Sequence, residues 1–156
     1  MLANLPDSAL APLQRVLHAA ARFVAAIGPR DYITPTLISL HWLPVRQRIT
    51  YKLCTMMYSV FYGQAPSYIS EIVTPVTHLP GRAHLRSATN GDYDIPRVLS
   101  GFSQRSFSVS GPDAWNSLPR QLRGITVAST FKRHLKSELF FQAYGVSTIA
   151  STVADP

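Results

Sequence analysis

Residues 45–62 read VRQRITYKLCTMMYSVFY and form the longest stretch with clear helical periodicity in the chain. Apolar side chains recur every three or four residues, as on the buried face of an amphipathic helix. These positions are Val45, Ile49, Leu53, Met56 or Met57, and Val60. Pro44 precedes the stretch and Gly63 follows it, so both ends carry helix-boundary residues. The sequence predicts a helix from Val45 to about Tyr62 and a mainly α fold around it.

Helical spacing predicts four more helices around this one. They run from Asp7 or Ser8 to about Ile27, from Thr34 to about Trp42, from Pro66 to Ile72, and from Val127 or Ser129 to Ala143. Gly28 and Gly145 follow the first and the last of them, where glycine commonly ends a helix. The first helix is expected to bury a stripe made of Leu10, Leu13, Leu17, Ala20, Ala21, Val24 and Ile27.

Two short stretches are predicted to be β-strands. They are Tyr93–Val98 and Ser106–Ser110, and the second alternates Phe and Val with Ser, as a half-buried strand does. Leu99–Gln104 would join them as a hairpin-like connection. Beyond the turn Gly111–Asp113, Ala114–Leu118 is expected to form about one helical turn. The predicted fold is therefore mainly α: a helical bundle-like domain with a small antiparallel β element.

Composition divides the chain into three parts. Residues 1–73 hold the first predicted helices. Residues 74–145 begin with a long loop, up to Asn90, that is rich in Pro, Thr, His, Gly and Arg, and continue with the β element and the last helix. Residues 146–156 show no pattern and are expected to be a frayed tail.

The charge balance favours an anionic partner. The 156 residues carry a net charge of +7 with a pI of about 10.0, although only 15% of them are charged. Such a balance indicates nucleic acid first and an anionic membrane surface second. No signal peptide and no stretch of about 18 apolar residues is visible. We therefore expect an intracellular protein, in the nucleus or the cytoplasm, that does not span a membrane.

The sequence lacks the motifs of common catalytic sites. It contains no GxxxxGK[ST] or GxGxxG loop for phosphates and no GxSxG nucleophile motif. Asp92 and Asp94 are the sole close pair of acids; they fit a turn after Asn90-Gly91 better than a metal site, because Asp in a turn bonds its own backbone. Cys54, the single cysteine, is expected to be a buried apolar residue. These observations predict a chain that is not an enzyme by itself and that needs no cofactor or metal.

The basic residues concentrate on predicted helices. Arg46, Arg48 and Lys52 crowd the first turns of the long helix, where cations oppose the helix dipole. We interpret them as part of an anion site that also uses free backbone N–H groups. Each cation taken alone also fits the solvated face of an amphipathic helix. As a set, the candidate nucleic-acid-binding residues are Arg15, Arg22, Arg46, Arg48, Lys52, Arg120, Arg123, Lys132, Arg133 and Lys136.

The aromatic residues fit core positions better than base-stacking positions, because they fall on apolar stripes or at junctions between elements. Those that we expect in the core are Trp42, Tyr58, Phe107, Trp115 and Phe131.

Six segments, in order, resemble the region beyond the polymerase core of LINE-type, non-LTR retrotransposon reverse transcriptases. Leu13–Arg22 (LQRVLHAAAR) is similar to the family's LQRVLNAAAR, and Leu40–Ile49 (LHWLPVRQRI) to its LHWLPVRQRI. The other four are Gly63–Ile69 (family GLAPxYL), Arg105–Val109 (RAFSVAAP), Ala114–Pro119 (WNSLP) and Phe131–Lys136 (FKxxLK). The resemblance spans residues 13 to about 140.

The resemblance implies an origin in an RNA-directed DNA polymerase, with residues 1–73 as a thumb-like segment. The family's endonuclease and its palm motif, (Phe/Tyr)-Ala-Asp-Asp, have no counterparts here, so its catalytic residues are not carried over. The implied partners are RNA or an RNA–DNA duplex, bound without sequence preference, and the polymerase core if it is expressed with this chain. Two alternatives remain open: a packing or protein-interaction module, and a genomic remnant without function.

Overall fold

The computed structural model describes residues 2–79 and 90–146. These residues form seven α-helices and two single 3₁₀ turns, Val76–His78 and Ser103–Arg105. The helices are α1 (Asp7–Ala25), α2 (Thr34–Ser39), α3 (Val45–Phe61), α4 (Ser67–Ser70), α5 (Phe107–Asn116), α6 (Arg120–Arg123) and α7 (Ala128–Tyr144). The mainly α fold class is confirmed. Residues 80–89 of the expected long loop and 147–156 of the expected tail lie outside the described residues.

The chain divides into two compact units, and each of them combines segments that are distant in sequence. Unit 1 comprises Met1–Asn4 and Ile49–Arg133, and unit 2 comprises Leu5–Arg48 and His134–Pro156. The boundary at residue 74 that composition suggests divides the chain in sequence order, whereas each of these units combines two separate segments. The thumb-like assignment of residues 1–73 stays a prediction.

In unit 2, helix α1 buries only part of the predicted stripe. Leu10 and Ala21 are buried, whereas Leu13, Ala20 and Val24 of the predicted stripe are exposed. A polar residue, Gln14, also belongs to the packed face. It accepts a hydrogen bond from the backbone N–H of Val45 (2.9 Å) and so satisfies one of the free donors at the start of α3. A buried face predicted from apolar residues alone cannot include this contact, because it is made by a polar side chain.

A small apolar core holds unit 2 together. Ala21, Ile33 and Leu37 are its buried centre, and Trp42 and Tyr144 pack against it together with other apolar side chains. The Tyr144 hydroxyl donates to the Trp42 carbonyl at 2.7 Å, which ties the end of α7 to the segment that follows α2. The burial of several large side chains, worth about 1.5–3 kcal/mol each, is the main stabilising term.

Unit 1 is built around aromatic side chains. Tyr58, Trp115 and Phe131 are at most 1% exposed, as expected for core residues. The rings of Tyr58 and Phe131 stack with centroids 4.3 Å apart, and the Tyr58 hydroxyl donates to the Thr126 carbonyl at 2.5 Å. Trp42 and Phe107, which were also expected in the core, are half-buried.

The predicted hairpin is wrong. Ser106–Ser110 belongs to the start of α5, where the Ser110 hydroxyl donates to the Ser106 carbonyl at 2.8 Å. Gly111 lets this helix approach α3, since a Cβ there would lie 3.1 Å from the Met57 sulfur. Burial against α3 therefore outweighs the strand-like alternation of Phe, Ser and Val.

The other predicted strand, Tyr93–Val98, is reduced to one bridge. Tyr93 forms an isolated antiparallel bridge with Pro75, in which Asp94 N–H donates to Thr74 O at 2.8 Å. On its other side, the Tyr93 backbone is paired with a side chain: its N–H donates to Asn116 Oδ1 (3.0 Å) and its carbonyl accepts from Asn116 Nδ2 (2.8 Å). Because this amide takes the place of a neighbouring strand, the Tyr93 backbone needs no second strand.

Within residues 2–79 and 90–146, no helix has both the length and the apolar character needed to cross a membrane.

The buried thiol of Cys54 gives the fold a pH-dependent test. Burial raises its pKa from 9.0 to about 12. Above pH 9 the unfolded chain therefore loses a proton that the folded chain keeps, and the stability contributed by Cys54 falls as pH rises. We expect the difference in unfolding free energy between wild type and Cys54→Ala to shrink by about 1.4 kcal/mol from about pH 8 to about pH 10. Urea titrations of both proteins measure it, and tyrosine ionisation cancels between them. A constant difference would contradict the prediction.

Candidate nucleic-acid interface

In unit 2, Arg46 at the start of α3 is held by the beginning of α1. Its guanidinium lies 2.5 Å from Asp7 Oδ1 and donates to the Leu5 carbonyl at 3.2 Å. The Arg46 side chain is still 49% exposed and that of Asp7 is 91% exposed. An ion pair so open to water contributes at most about 1 kcal/mol, so a phosphate group can compete for Arg46.

The neighbouring Arg48 also makes structural contacts. It donates to the Leu43 carbonyl at 2.8 Å and lies over the Trp42 ring, with 5.7 Å between the guanidinium carbon and the ring centroid. Because the Val45 N–H is already bound to Gln14, fewer free backbone N–H groups remain for the predicted anion site than expected. Arg46 and Arg48 both make contacts that stabilise the local fold, and both side chains are also exposed to solvent.

On α1, the two predicted arginines differ. Arg15 is exposed, whereas Arg22 is half-buried and donates to the Asp31 carbonyl at 3.4 Å. The pKa of His18 is lowered by burial and, to a smaller extent, by the charge of Arg22. His18 is therefore mostly neutral near pH 7 and adds little to the positive charge of this helix.

The three lysines of the chain are all exposed. Lys52 and Lys132 belong to unit 1, and Lys136 to unit 2. Arg133, next to Lys132, is exposed as well. Extended lysine side chains on solvated helix faces can reach phosphate oxygens without a change in the fold.

Arg120 and Arg123, at the two ends of α6, have opposite environments. Arg120 is exposed, whereas Arg123 is only 7% exposed and forms a salt bridge with Asp92. The Asp92 side chain thus contacts a residue 31 positions away, which the expected turn does not predict. Arg123 is a structural residue of unit 1, and Arg120 is the member of the pair that solvent and ligands can reach.

Both arginines line a cavity of about 390 Å³ in unit 1. Aromatic, amide and glycine residues complete its wall: Phe61, Tyr62, Asn90, Gly91 and Gly124. The Tyr62 hydroxyl donates to the Arg123 carbonyl at 3.0 Å and so fixes that side of the wall.

Three side chains hold the Asn90–Tyr93 segment beside this cavity. Trp115 Nε1 donates to the Gly91 carbonyl at 3.0 Å, Asn116 pairs with the Tyr93 backbone, and Arg123 binds Asp92. We call this set of contacts the 90–93 clamp. Gly91 has φ +69°, and a Cβ at this position would lie 2.8 Å from the Phe61 ring, so glycine is required on both counts.

Sequence reasoning found Arg120 and Arg123 but missed the rest of the cavity wall. Asn90-Gly91 is typical of a turn, and a turn signature does not show which side chains will close on it. Trp115 and Asn116 belong to the segment that resembles WNSLP, but their partners lie 24 and 23 residues away. Among the described residues, no group of three or more His, Cys, Asp or Glu could hold a metal ion.

No protein-family model matches the chain, and neither does any curated protein or solved structure.

The two arginines of α6 provide a matched pair of variants. Arg123→Ala leaves the partly buried Asp92 carboxylate without its partner, so we expect the unfolding free energy to fall by about 3 kcal/mol. Arg120→Ala removes an exposed side chain and should change the free energy by no more than about 0.5 kcal/mol. Chemical denaturation followed by circular dichroism measures both, and equal effects would contradict these assignments.

Proposed function

We propose that this chain derives from the C-terminal segment of a LINE-type reverse transcriptase and that it binds RNA or an RNA–DNA duplex through the phosphate backbone. One observation carries the binding proposal. Eight of the ten candidate cations are exposed, and the described residues include only four exposed acids to oppose them. A surface with this excess of positive charge attracts nucleic acid from a distance and binds it in a salt-dependent way.

The side chains involved favour binding without sequence preference. Lysine and arginine on solvated helix faces contact phosphates, which carry no direct sequence information. The exposed candidates in unit 1 are Lys52, Arg120, Lys132 and Arg133, and those in unit 2 are Arg15, Arg46, Arg48 and Lys136. Arg22 and Arg123 are engaged within their own units and contribute to the fold more than to the interface.

The proposed role is not catalytic. The matching segments belong to the region beyond the family's palm, and the aspartates of its (Phe/Tyr)-Ala-Asp-Asp motif have no counterparts in this sequence. In a complete enzyme of this family, catalysis would belong to the palm, and a segment like this one would hold template or product.

A second candidate function is packing against another protein surface, such as a polymerase core. Helix α1 favours it: Val16 is 68% exposed, Phe23 is 88% exposed, and Leu13 and Val24 are exposed beside them. Positions 13, 16, 20, 23 and 24 share one side of a helix, so the exposed apolar side chains form a continuous stripe. Stripes of this kind on a helix surface commonly mark protein contacts.

The salt dependence of binding tests the backbone proposal. With about four phosphate contacts, the association constant for a duplex should fall roughly 100-fold from about 50 to about 200 mM salt. Each of Lys52→Gln, Lys132→Gln and Lys136→Gln should flatten the log–log slope by about 0.9, since each removes one contact. Fluorescence anisotropy with a labelled RNA–DNA duplex measures both quantities.

Arg97→Gln is the matched control, because Arg97 is an exposed cation outside the candidate set. The log–log salt slope of Arg97→Gln should therefore lie nearer the wild-type slope than the slopes of the three lysine variants do. A flat salt dependence, or lysine variants that bind as the wild type does, would contradict backbone binding and would favour the packing function of α1.

A further inference from the structure

We propose that the cavity of unit 1 binds a single nucleotide unit, that is, one flat base with one phosphate group. The inference goes beyond the proposed function, because contacts to the phosphate backbone on solvated helix faces do not place a base in a cavity. It also stands if the chain does not bind a nucleic-acid backbone.

Two residues of the cavity wall carry hydrogen-bonding atoms that are unpaired. Arg123 Nε and Asn90 Oδ1 are buried, and neither has a hydrogen-bond partner among the described residues. Buried polar groups are nearly always paired in folded proteins, and these two unpaired atoms belong to residues that line one cavity; because the atoms themselves are buried, a ligand meets them once the neighbouring side chains shift. Arg123 Nε needs an acceptor and Asn90 Oδ1 needs a donor, and the edge of a nucleobase presents both kinds of group.

The charge around the cavity selects the number of phosphate groups. Arg123 is balanced by Asp92, so the exposed Arg120 is the remaining positive charge among the described lining residues. One guanidinium matches a monophosphate or a phosphodiester, to which it can donate two parallel hydrogen bonds. A triphosphate would bring more negative charge than this wall can neutralise.

Phe61 provides a surface for a base. Its ring lies 5.1 Å from the ring of Tyr62 and 5.3 Å from that of Trp115, and the side chain is still 39% exposed. Gly91 lies directly beneath the ring edge, where any side chain would collide with it. A ring held in this way and partly open to solvent can stack with a base of any identity.

The volume agrees with this ligand. At about 390 Å³, the cavity falls near the lower end of the roughly 300–1,000 Å³ of small-molecule sites. The nucleotide can come from solution or from the unstacked end of a single strand, and the two sources share the same base and phosphate chemistry.

The test is an NMR titration of the ¹⁵N-labelled full chain with separate probes. They are adenosine 5′-monophosphate, adenosine, ribose 5-phosphate, adenosine triphosphate and a single-stranded tetranucleotide. We expect the monophosphate to saturate with a Kd below ~10 mM and to bind at least about tenfold more tightly than adenosine or ribose phosphate alone. The triphosphate should bind no more tightly than the monophosphate. Shifts should be confined to residues that line the cavity.

Two variants of exposed lining residues make the test specific. Arg120→Gln removes the phosphate contact and Phe61→Leu removes the stacking ring, and each should weaken binding by roughly tenfold. Arg97→Gln, which changes an exposed cation outside both the candidate set and the cavity wall, should bind within about twofold of the wild type. The amide spectra of all variants report whether the fold is kept.

The source of the nucleotide follows from which probe binds. Saturation by the monophosphate, lost in both variants, supports the proposal with a free nucleotide as ligand. Saturation by the tetranucleotide alone, lost in both variants, supports it with a strand end as ligand. The proposal is overturned if no probe binds or if binding survives either substitution.

Discussion

The hydrogen bonds between the Asn116 amide and the Tyr93 backbone are the constraint on which the rest of unit 1 depends. They satisfy both polar groups of a half-buried backbone segment, at 3.0 Å and 2.8 Å, and they act as a strand would. Trp115 reaches Gly91 from the same helix, and Arg123 reaches Asp92 from the next one. The 90–93 clamp thus fixes the backbone beneath Phe61, and the cavity wall exists because this segment is held in place.

The basic residues divide into those that build the structure and those that remain available to a partner. Arg123 and Arg22 are engaged with their own units, and Arg48 combines a carbonyl contact with stacking on Trp42. All three lysines are exposed. This division follows from chemistry: a planar guanidinium suits carbonyls, carboxylates and rings inside a fold, whereas an ammonium group is strongly hydrated and stays in water. A phosphate-binding role therefore falls mainly to the lysines and to the exposed arginines.

Much of the fold could be predicted from the sequence, and the errors have physical causes. Helix α3 was predicted within one residue at its end, because periodicity and flanking Pro and Gly agree there. The strand at Ser106–Ser110 was wrong, since its alternation also fits a helix whose burial against α3 decides the matter. For the candidate site, the positions of Lys and Arg in the sequence identify the cations but do not show that Arg123 is buried. The cavity depends on contacts across 23 to 31 residues, which no local pattern contains.

The central claim is that the 90–93 clamp makes a loop segment part of the rigid core, and amide hydrogen exchange tests it most directly. The Tyr93 N–H donates to a side chain outside any regular sheet, and the Met57 N–H lies inside helix α3 at a fully buried residue. If the clamp holds the segment, both amides exchange only through large-scale unfolding, with similar slow rates under native conditions. Exchange of the Tyr93 amide at the rate of an unprotected loop would contradict the account.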